Sequence, residues 1–540
     1  MVRFSFFLAL TLSAQHPGPR NPQLQPRLWP GYGELHFEIR TARPEARPWA
    51  NQGLRLIYAF NHPEAAASFR RATEIDPDCP LCWWGLGLAL GNNINAPLQP
   101  ENAGPAWEAT GRALALRNKA TPREAAFIDA LAQRYRKENP KDRSSLDLAY
   151  AEAMRKLARS YPDDLDALTL AADALMNLTP WQLWSRDGKP NTYTLELVGL
   201  LEAVLQRNPL HMGANHLYIH AVEASLTPER ALPSADLLAG LAPESGHLVH
   251  MPAHIYQRTG DYAKSAEANR KAAALDRAYF AAVGNPTWYT PYWYHNLHFL
   301  SSSLTMLGRY GEARLAILDA ASALEPVARI EAGLEASLAM PWFTEVRFAQ
   351  WDRILAAPEP ASFSLTVQNV WRFARAMAFT GKEKLAEARR ERDLFAKAIA
   401  ALSPERGFGL NQELAIMRIA ADILDARITW LAGDRPSAIS LARRAVAAED
   451  KLHYDEPAGW YYPPSRETLG GMLLRSEQPA EAEAVFRQEL ENNRRSGRAL
   501  FGLWQSLLAQ NKHEAAAQVR PLYERAWSLA DSPLSLDQLF

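Results

Sequence analysis

Eight of the chain's 13 histidines fall between positions 211 and 298. HMGANHLYIHAVEAS, residues 211 to 225, carries His216 and His220 with Glu223 close behind. GHLVHMPAHIYQRTGDY, residues 246 to 262, carries His247, His250 and His254, and YHNLHFL, residues 294 to 300, carries His295 and His298. Residues three or four apart share one face of a helix, so His216 with His220, and His295 with His298, can each grip one ion. His247 and His254 are seven apart, about 10.5 Å along a helix axis, and one ion could take both only under strain. The spacing therefore suggests two ions. One would use His216, His220 and His254, with Glu223 as a further ligand or a proton acceptor. The other would use His247, His295 and His298, with His250 between them and able to serve either. Neutral imidazoles with few carboxylates suit copper, zinc or iron and disfavour magnesium or calcium.

Positioning these side chains is a matter of helices. At 540 residues, 48% hydrophobic and 22% charged, the chain has ample apolar surface for a large core. FNHPEAAASFRRATEIDPDCPLCWWGLGLAL sets Ala65, Phe69, Ala72 and Pro77 at offsets of four, three and five, followed by Trp83, Leu86 and Gly87. A turn followed five residues later by a small residue returns in GDYAKSAEANRKAAALD, GRYGEARLAI, GKEKLAEARRERD, GDRPSAISLARRAV and EQPAEAEAVFRQEL, and Leu469-Gly470 precedes the last of these. These spacings resemble the tetratricopeptide repeat, an antiparallel helix pair of about 34 residues. The fold expected is all-α, a tetratricopeptide-repeat α-solenoid: a right-handed superhelix of helical hairpins, residues 46–540 forming a single array in which neighbours share one core. Thr121-Pro122-Arg123-Glu124 supplies an N-cap, a first-turn proline and a capping-box glutamate. No alternating strand pattern competes. Pro-, Gly-, Asn- and aromatic-rich inserts at 92–105, 177–194, 284–294 and 453–466 interrupt the array and are expected as ordered loops.

Aligned on turn residues Gly260 and Gly308, and on Pro209 at the end of a repeat, the histidines fall at places two, five and nine of successive first helices. In solenoids of this resemblance those places face the concave groove, which would put seven imidazoles of three repeats in one hollow. Asp166 and Asp173 take places two and nine of the preceding repeat and could hydrogen-bond to metal-bound imidazoles. Trp181 and Trp184, and Trp288, Tyr289, Tyr292, Trp293 and Tyr294, could wall a substrate pocket or simply pack. Asn92, Asn93 and Asn95 could line the same channel.

The first residues, MVRFSFFLALTLSAQ, have the basic start, short apolar run and small residues of a secretory signal, expected at 1–14. Residues 15–45, with frequent Pro and Arg, are expected as an extended segment along the array. Export to a periplasmic or secreted location follows. Cys79 and Cys82 are the only cysteines and form a CxxC that can close a small disulfide; two cysteines fall short of the four ligands of structural zinc. Lys and Arg number 59 against 60 Asp and Glu, so nothing in the charge points to nucleic acid or to membrane insertion. No phosphate-binding glycine loop and no GxSxG elbow is present.

Taken together, FNHPEAAASFRRATEIDPDCPLCWWG, NHLYIHAVEAS, GHLVHMPAHIYQRTGDY and YHNLHF resemble a histidine-rich group of bacterial tetratricopeptide-repeat proteins without an assigned activity. Members of the wider repeat family are mostly peptide-binding adaptors, which the resemblance implies as one role. This groove departs from them by presenting imidazoles where adaptors present Asn, Lys and Arg. The expected function is transition-metal binding at a dinuclear multi-histidine centre, with metal-dependent oxidation of a small or peptide-like substrate as the favoured chemistry and Glu223 as its catalytic group. Metal-assisted hydrolysis, metal storage and a non-catalytic peptide scaffold with a protein partner are the alternatives.

Overall fold

In the computed structural model residues 24–284, 286–458 and 464–540 are described; the signal expected at 1–14 lies outside them. The described chain falls into two compact units, Arg20–Ile255 with Lys271–Gly284, and Tyr256–Arg270 with Asn285–Phe540.

In the first unit, the segment 24–43 precedes the first helical turn and bends at 30–32. Its backbone is held by side chains: the N–H groups of Trp29, Phe37, Arg40 and Ala42 donate to Gln52, Asn51, Glu124 and Asp76 at 2.6, 2.9, 2.5 and 2.9 Å. Helices follow as antiparallel pairs: α1 (Arg47–Tyr58) with α2 (His62–Ile75), α3 (Pro80–Ala89) with α4 (Pro100–Ala115), α5 (Pro122–Leu131) with α6 (Ser144–Ser160), α7 (Leu165–Met176) with α8 (Thr194–Arg207), and α9 (Met212–Val222) with α10 (Leu232–Leu241). α11 (Gly246–His250) comes next, then α12 (Pro252–Thr259) and α13 (Tyr262–Val283), of which Tyr256–Arg270 belongs to the second unit. The Thr121 capping box forms as its sequence dictates: Thr121 Oγ1 accepts from the Glu124 N–H at 3.2 Å, and Glu124 Oε2 accepts from the Thr121 N–H at 2.7 Å.

Phe69 shows why these residues stack. Its ring is fully buried against Gly53 of α1 and Gly85 of α3, where a methyl group would come within 2.4 and 2.0 Å of it. Glycine on both first helices lets one aromatic wedge lock two neighbouring hairpins. The second unit repeats the device at the same interval, with Phe486 between Gly470 and Gly502. A bulky residue on the second helix that fills a gap left by small residues on successive first helices is the repeat's packing logic, and the fold is the expected all-α tetratricopeptide-repeat type.

The second unit is built from α14 (Thr290–Met306) and α15 (Tyr310–Ala328), then Leu365–Gly381 with Leu385–Ala400, Glu413–Leu431 with Arg435–Glu449, Ser465–Arg475 with Pro479–Asn492, and Gly497–Ala509 with His513–Ala526. A two-residue antiparallel pair, Gly407–Phe408 with Asn411–Gln412, is the one sheet among the described residues. Cys79 and Cys82 are joined as a disulfide at the start of α3. Among the described residues no helix is long and apolar enough to cross a membrane.

In the first unit α9 packs against α7 and also against α1. The second contact brings the turn between α1 and α2 onto the histidines. It depends on Gly213, because a methyl group there would lie 2.6 Å from the Tyr58 ring.

Candidate metal centre

α9 carries His216 and His220 one turn apart, and α11 carries His247. All three are buried, with 0, 3 and 4% of their surface exposed, and one nitrogen from each lies within 4.8 Å of the other two.

Proton bookkeeping shows which nitrogens are available. His216 Nδ1 lies 2.6 Å from the carbonyl oxygen of Tyr58. A carbonyl only accepts, so Nδ1 carries the hydrogen and Nε2 of the neutral ring is a bare lone pair. Burial holds this imidazole well below its ordinary pKa, which keeps it neutral. His220 repeats the pattern. Its Nδ1 donates to Glu223 Oε1 at 2.7 Å, leaving Nε2 as a buried lone pair with no hydrogen-bond partner among the described residues. Burial, with His254 beside it, lowers its pKa against the pull of the Glu223 carboxylate. His247 closes the group, its Nε2 being 3.1 Å from His216 Nε2. Histidines that ligate metals almost always anchor the other ring nitrogen on a carboxylate or a backbone carbonyl, which fixes the tautomer. His216 has the carbonyl and His220 the carboxylate, so the donor set fits a transition metal.

Glu223, 1% exposed, serves a second ring as well: its Oε2 lies 2.6 Å from His254 Nδ1. Burial by itself would push this carboxyl up, yet the neighbouring His254 and the hydrogen bonds of His220 and His254 hold it far below the usual range. It is a permanent carboxylate that orients two imidazoles. His254 in turn points Nε2 at His250 Nε2, 2.9 Å away, so a second pair of ring nitrogens converges within the same unit.

The grouping differs from the one expected. His247, and not His254, completes the set with His216 and His220, while His254 pairs with His250. The cause is local: Pro252 opens a new helix, α12, after Met251, so His247 and His254 stand on separate helical segments. His295 and His298 lie on α14 of the second unit, His298 buried and its pKa lowered by that burial to about 3.

Two aromatic side chains press on the centre from strained turns. Phe60, between α1 and α2, has φ of 54°, a left-handed conformation that costs an L-residue roughly 1 to 2 kcal/mol. Its ring lies 4.5 Å edge-on from His216 and stacks on His220 and His247 at 5.7 and 5.5 Å. Trp181, φ 60°, meets His220 edge-on at 5.3 Å. Both aromatics thus meet His220, from left-handed turns of a kind that also occurs at Ala349, Glu383, Glu477 and Asn511. Trp184 stays nearby by donating to the Ala221 carbonyl at 2.7 Å. Asp166 does not reach the three imidazoles directly. It accepts from the Tyr58 hydroxyl at 2.8 Å, and its other neighbour is His211 Nε2 at 3.4 Å, so it steadies the residue whose carbonyl orients His216.

Sequence reasoning missed Phe60, Tyr58 and His211. The left-handed slot did not single Phe60 out: later hairpins fill it with Gly260, Gly308 and Gly433 but also with Glu383, Glu477 and Asn511.

No protein-family model matches the chain, and no curated protein does. Among solved structures it is similar to yeast Tom70 (13% identity, TM-score 0.32, covering 88% of this chain and 96% of that one). It is also similar to a human IFIT1 dimer with m7Gppp-AAAA (12%, 0.32, 92% and 92%) and to the P58(IPK) TPR domain (11%, 0.23, 87% and 99%). At such scores these likenesses carry no argument about function, and the fold rests on the hairpins themselves.

Proposed function

We propose that the protein is an exported metal-binding protein that holds a transition-metal ion on His216, His220 and His247, with His250 and His254 supplying ligands to a second. The observation that carries this reading is His220 Nε2: a buried lone pair, fixed by Glu223 and facing two further imidazoles. Leaving such an acceptor unmet costs about 1 to 3 kcal/mol, a cost an ion removes. An ion bound there supplies a Lewis acid or, for copper or iron, a redox centre. The residues around it do the rest: Tyr58 and Glu223 hold the rings, and Phe60 and Trp181 exclude water. Metal-dependent oxidation of a small or peptide-like substrate is the favoured activity. Export is supported by the signal-like start and by the disulfide.

Elemental analysis of untagged protein tests the centre. The wild type should carry copper, iron or zinc near stoichiometry, and His220→Ala should lose most of it. Negligible metal in both ends the proposal. Oxygen uptake by copper- or iron-loaded protein then separates oxidation from hydrolysis or storage.

A peptide-binding scaffold is the second reading, and one observation favours it. The backbone of residues 29–42 is already held as an extended peptide by side chains of the helical repeats and of the turn after α2. Peptide capture that survives a chelator would support it over the metal centre.

A further inference from the structure

An open cavity of about 350 Å³ lies in the first unit between α1 and the segment that precedes it, and none of the imidazoles of the metal centre lines it. α1 contributes Arg47, Asn51 and Arg55, each one turn from the last and so on one face of the helix; the segment contributes Glu34 and His36. Two hydrogen bonds set the direction of the segment. Arg55 Nη1 donates to the Gly33 carbonyl at 2.6 Å, and the Phe37 N–H donates to Asn51 Oδ1 at 2.9 Å. The segment therefore runs antiparallel to α1, with Glu34 toward the Arg55 end of the cavity and Arg47 at the other end.

Holding the segment accounts for one nitrogen of Arg55 and one oxygen of Asn51. It leaves the charges unmatched. Among the described residues none of Arg47, Arg55 and Glu34 forms an ion pair, and the side chains of Arg47 and Glu34 make no hydrogen bond. Arg55 is half-buried and its Nε–H has no hydrogen-bond partner among the described residues. Burial lowers its pKa against the pull of Glu34, which acts on it without closing an ion pair. A lone exposed arginine would simply face water. This hollow instead holds unpaired charge of both signs on opposite walls, two cations on the helix and a carboxylate on the segment.

The walls select their complement by charge and by spacing. Two cations and one anion sum to +1, so a ligand of net charge −1 neutralises them. A simple dicarboxylate would be repelled by Glu34, and a simple amine by both arginines. Eight residues separate Arg47 from Arg55, about 12 Å along the helix axis, so the two guanidinium groups suit two carboxylates of one molecule better than a single one. Glu34, at the Arg55 end, asks for an ammonium beside one of those carboxylates. Leu35 and Pro48 offer apolar surface to the methylenes between them.

We infer that this cavity binds a free acidic α-amino acid of the glutamate type, its α-carboxylate on Arg55 and the Asn51 NH2, its ammonium on Glu34 and its side-chain carboxylate on Arg47. The cavity shares no residue with the metal centre, so the inference stands apart from the metal reading.

Calorimetric titration of full-length, chelator-treated protein with L-glutamate, L-glutamine and glutarate is the test. Glutamine lacks the second carboxylate and glutarate the ammonium, and each should bind about tenfold more weakly than glutamate, the worth of one charge-assisted contact. Arg47→Gln should bring glutamate down to the affinity of glutamine, and Glu34→Gln should remove the preference for glutamate over glutarate. Neither side chain holds the fold together, so both variants should melt as the wild type does. Binding of glutamate no tighter than that of glutamine or glutarate, no binding of any of the three, or unchanged preferences in the two variants overturns the inference. Metal is absent throughout, so failure here and failure of the imidazole centre are seen in separate measurements.

Discussion

Replacing Glu223 by glutamine tests how the imidazoles are held. The carboxylate faces an Nδ1 at each oxygen, His220 at 2.7 Å and His254 at 2.6 Å. Glutamine keeps one acceptor and puts an NH2 donor in place of the other. A donor cannot face an Nδ1–H, so one of the two rings must move its proton to Nε2 and give up the lone pair it offers an ion. Removing an outer partner of this kind typically weakens metal binding 10- to 100-fold, or about 1.4 to 2.7 kcal/mol. The lost hydrogen bond to a charged group is worth about 1.5 to 3 kcal/mol of folding stability. Zinc suits the assay, being redox-silent, in competition with a chromophoric chelator. Glu223→Gln should fold with a lowered melting temperature, and zinc should be held 10- to 100-fold more weakly at one or other set of rings. Wild-type zinc affinity at every position in a folded Glu223→Gln protein would refute the claim that Glu223 sets the tautomers.

Other expectations follow from single residues. Phe60→Ala and Phe60→Gly lose the same ring contacts, roughly 3 to 5 kcal/mol for a buried phenylalanine, but glycine alone escapes the left-handed strain. Phe60→Gly should therefore be the more stable of the two by about 1 kcal/mol in chemical denaturation, and equal stabilities would remove the strain argument. Gly213→Ala drives a methyl group into the Tyr58 ring and should cost about 1 to 3 kcal/mol while weakening metal binding through His216, read by melting and zinc titration together. Asp173 has its carboxyl raised to about 6 in the fold from 3.8, so the folded state binds the extra proton between these values. Its burden is absent below about pH 3.8 and complete above about pH 6, reaching roughly 3 kcal/mol. Asp173→Asn should thus gain stability relative to wild type as pH rises from 4 to 8 in urea titrations, and a pH-independent difference would contradict the shift.

The fold could be anticipated because its packing rule is written in residue types. Phe69 between Gly53 and Gly85 needs both glycines, and Ala65 and Ala72 sit where helices cross. Thr121 and Glu124 announced their own capping box. Pairing of His216 with His220 was equally legible, since helical spacing alone puts them on one face. Which ring of the next helix joins them was not, because that depends on the axial offset between neighbouring helices and on the break at Pro252. Nor could spacing foresee a backbone carbonyl, that of Tyr58, as the anchor of His216. It comes from a hairpin more than 150 positions away, by the packing of α9 on α1.

X-ray absorption at the edge of whichever metal copurifies with untagged protein addresses the central claim most directly. Scattering from about three imidazole nitrogens near 2 Å, lost in His220→Ala and softened in Glu223→Gln, is the expected result. A metal bound mainly by oxygen, or one whose surroundings do not change in His220→Ala, would contradict it.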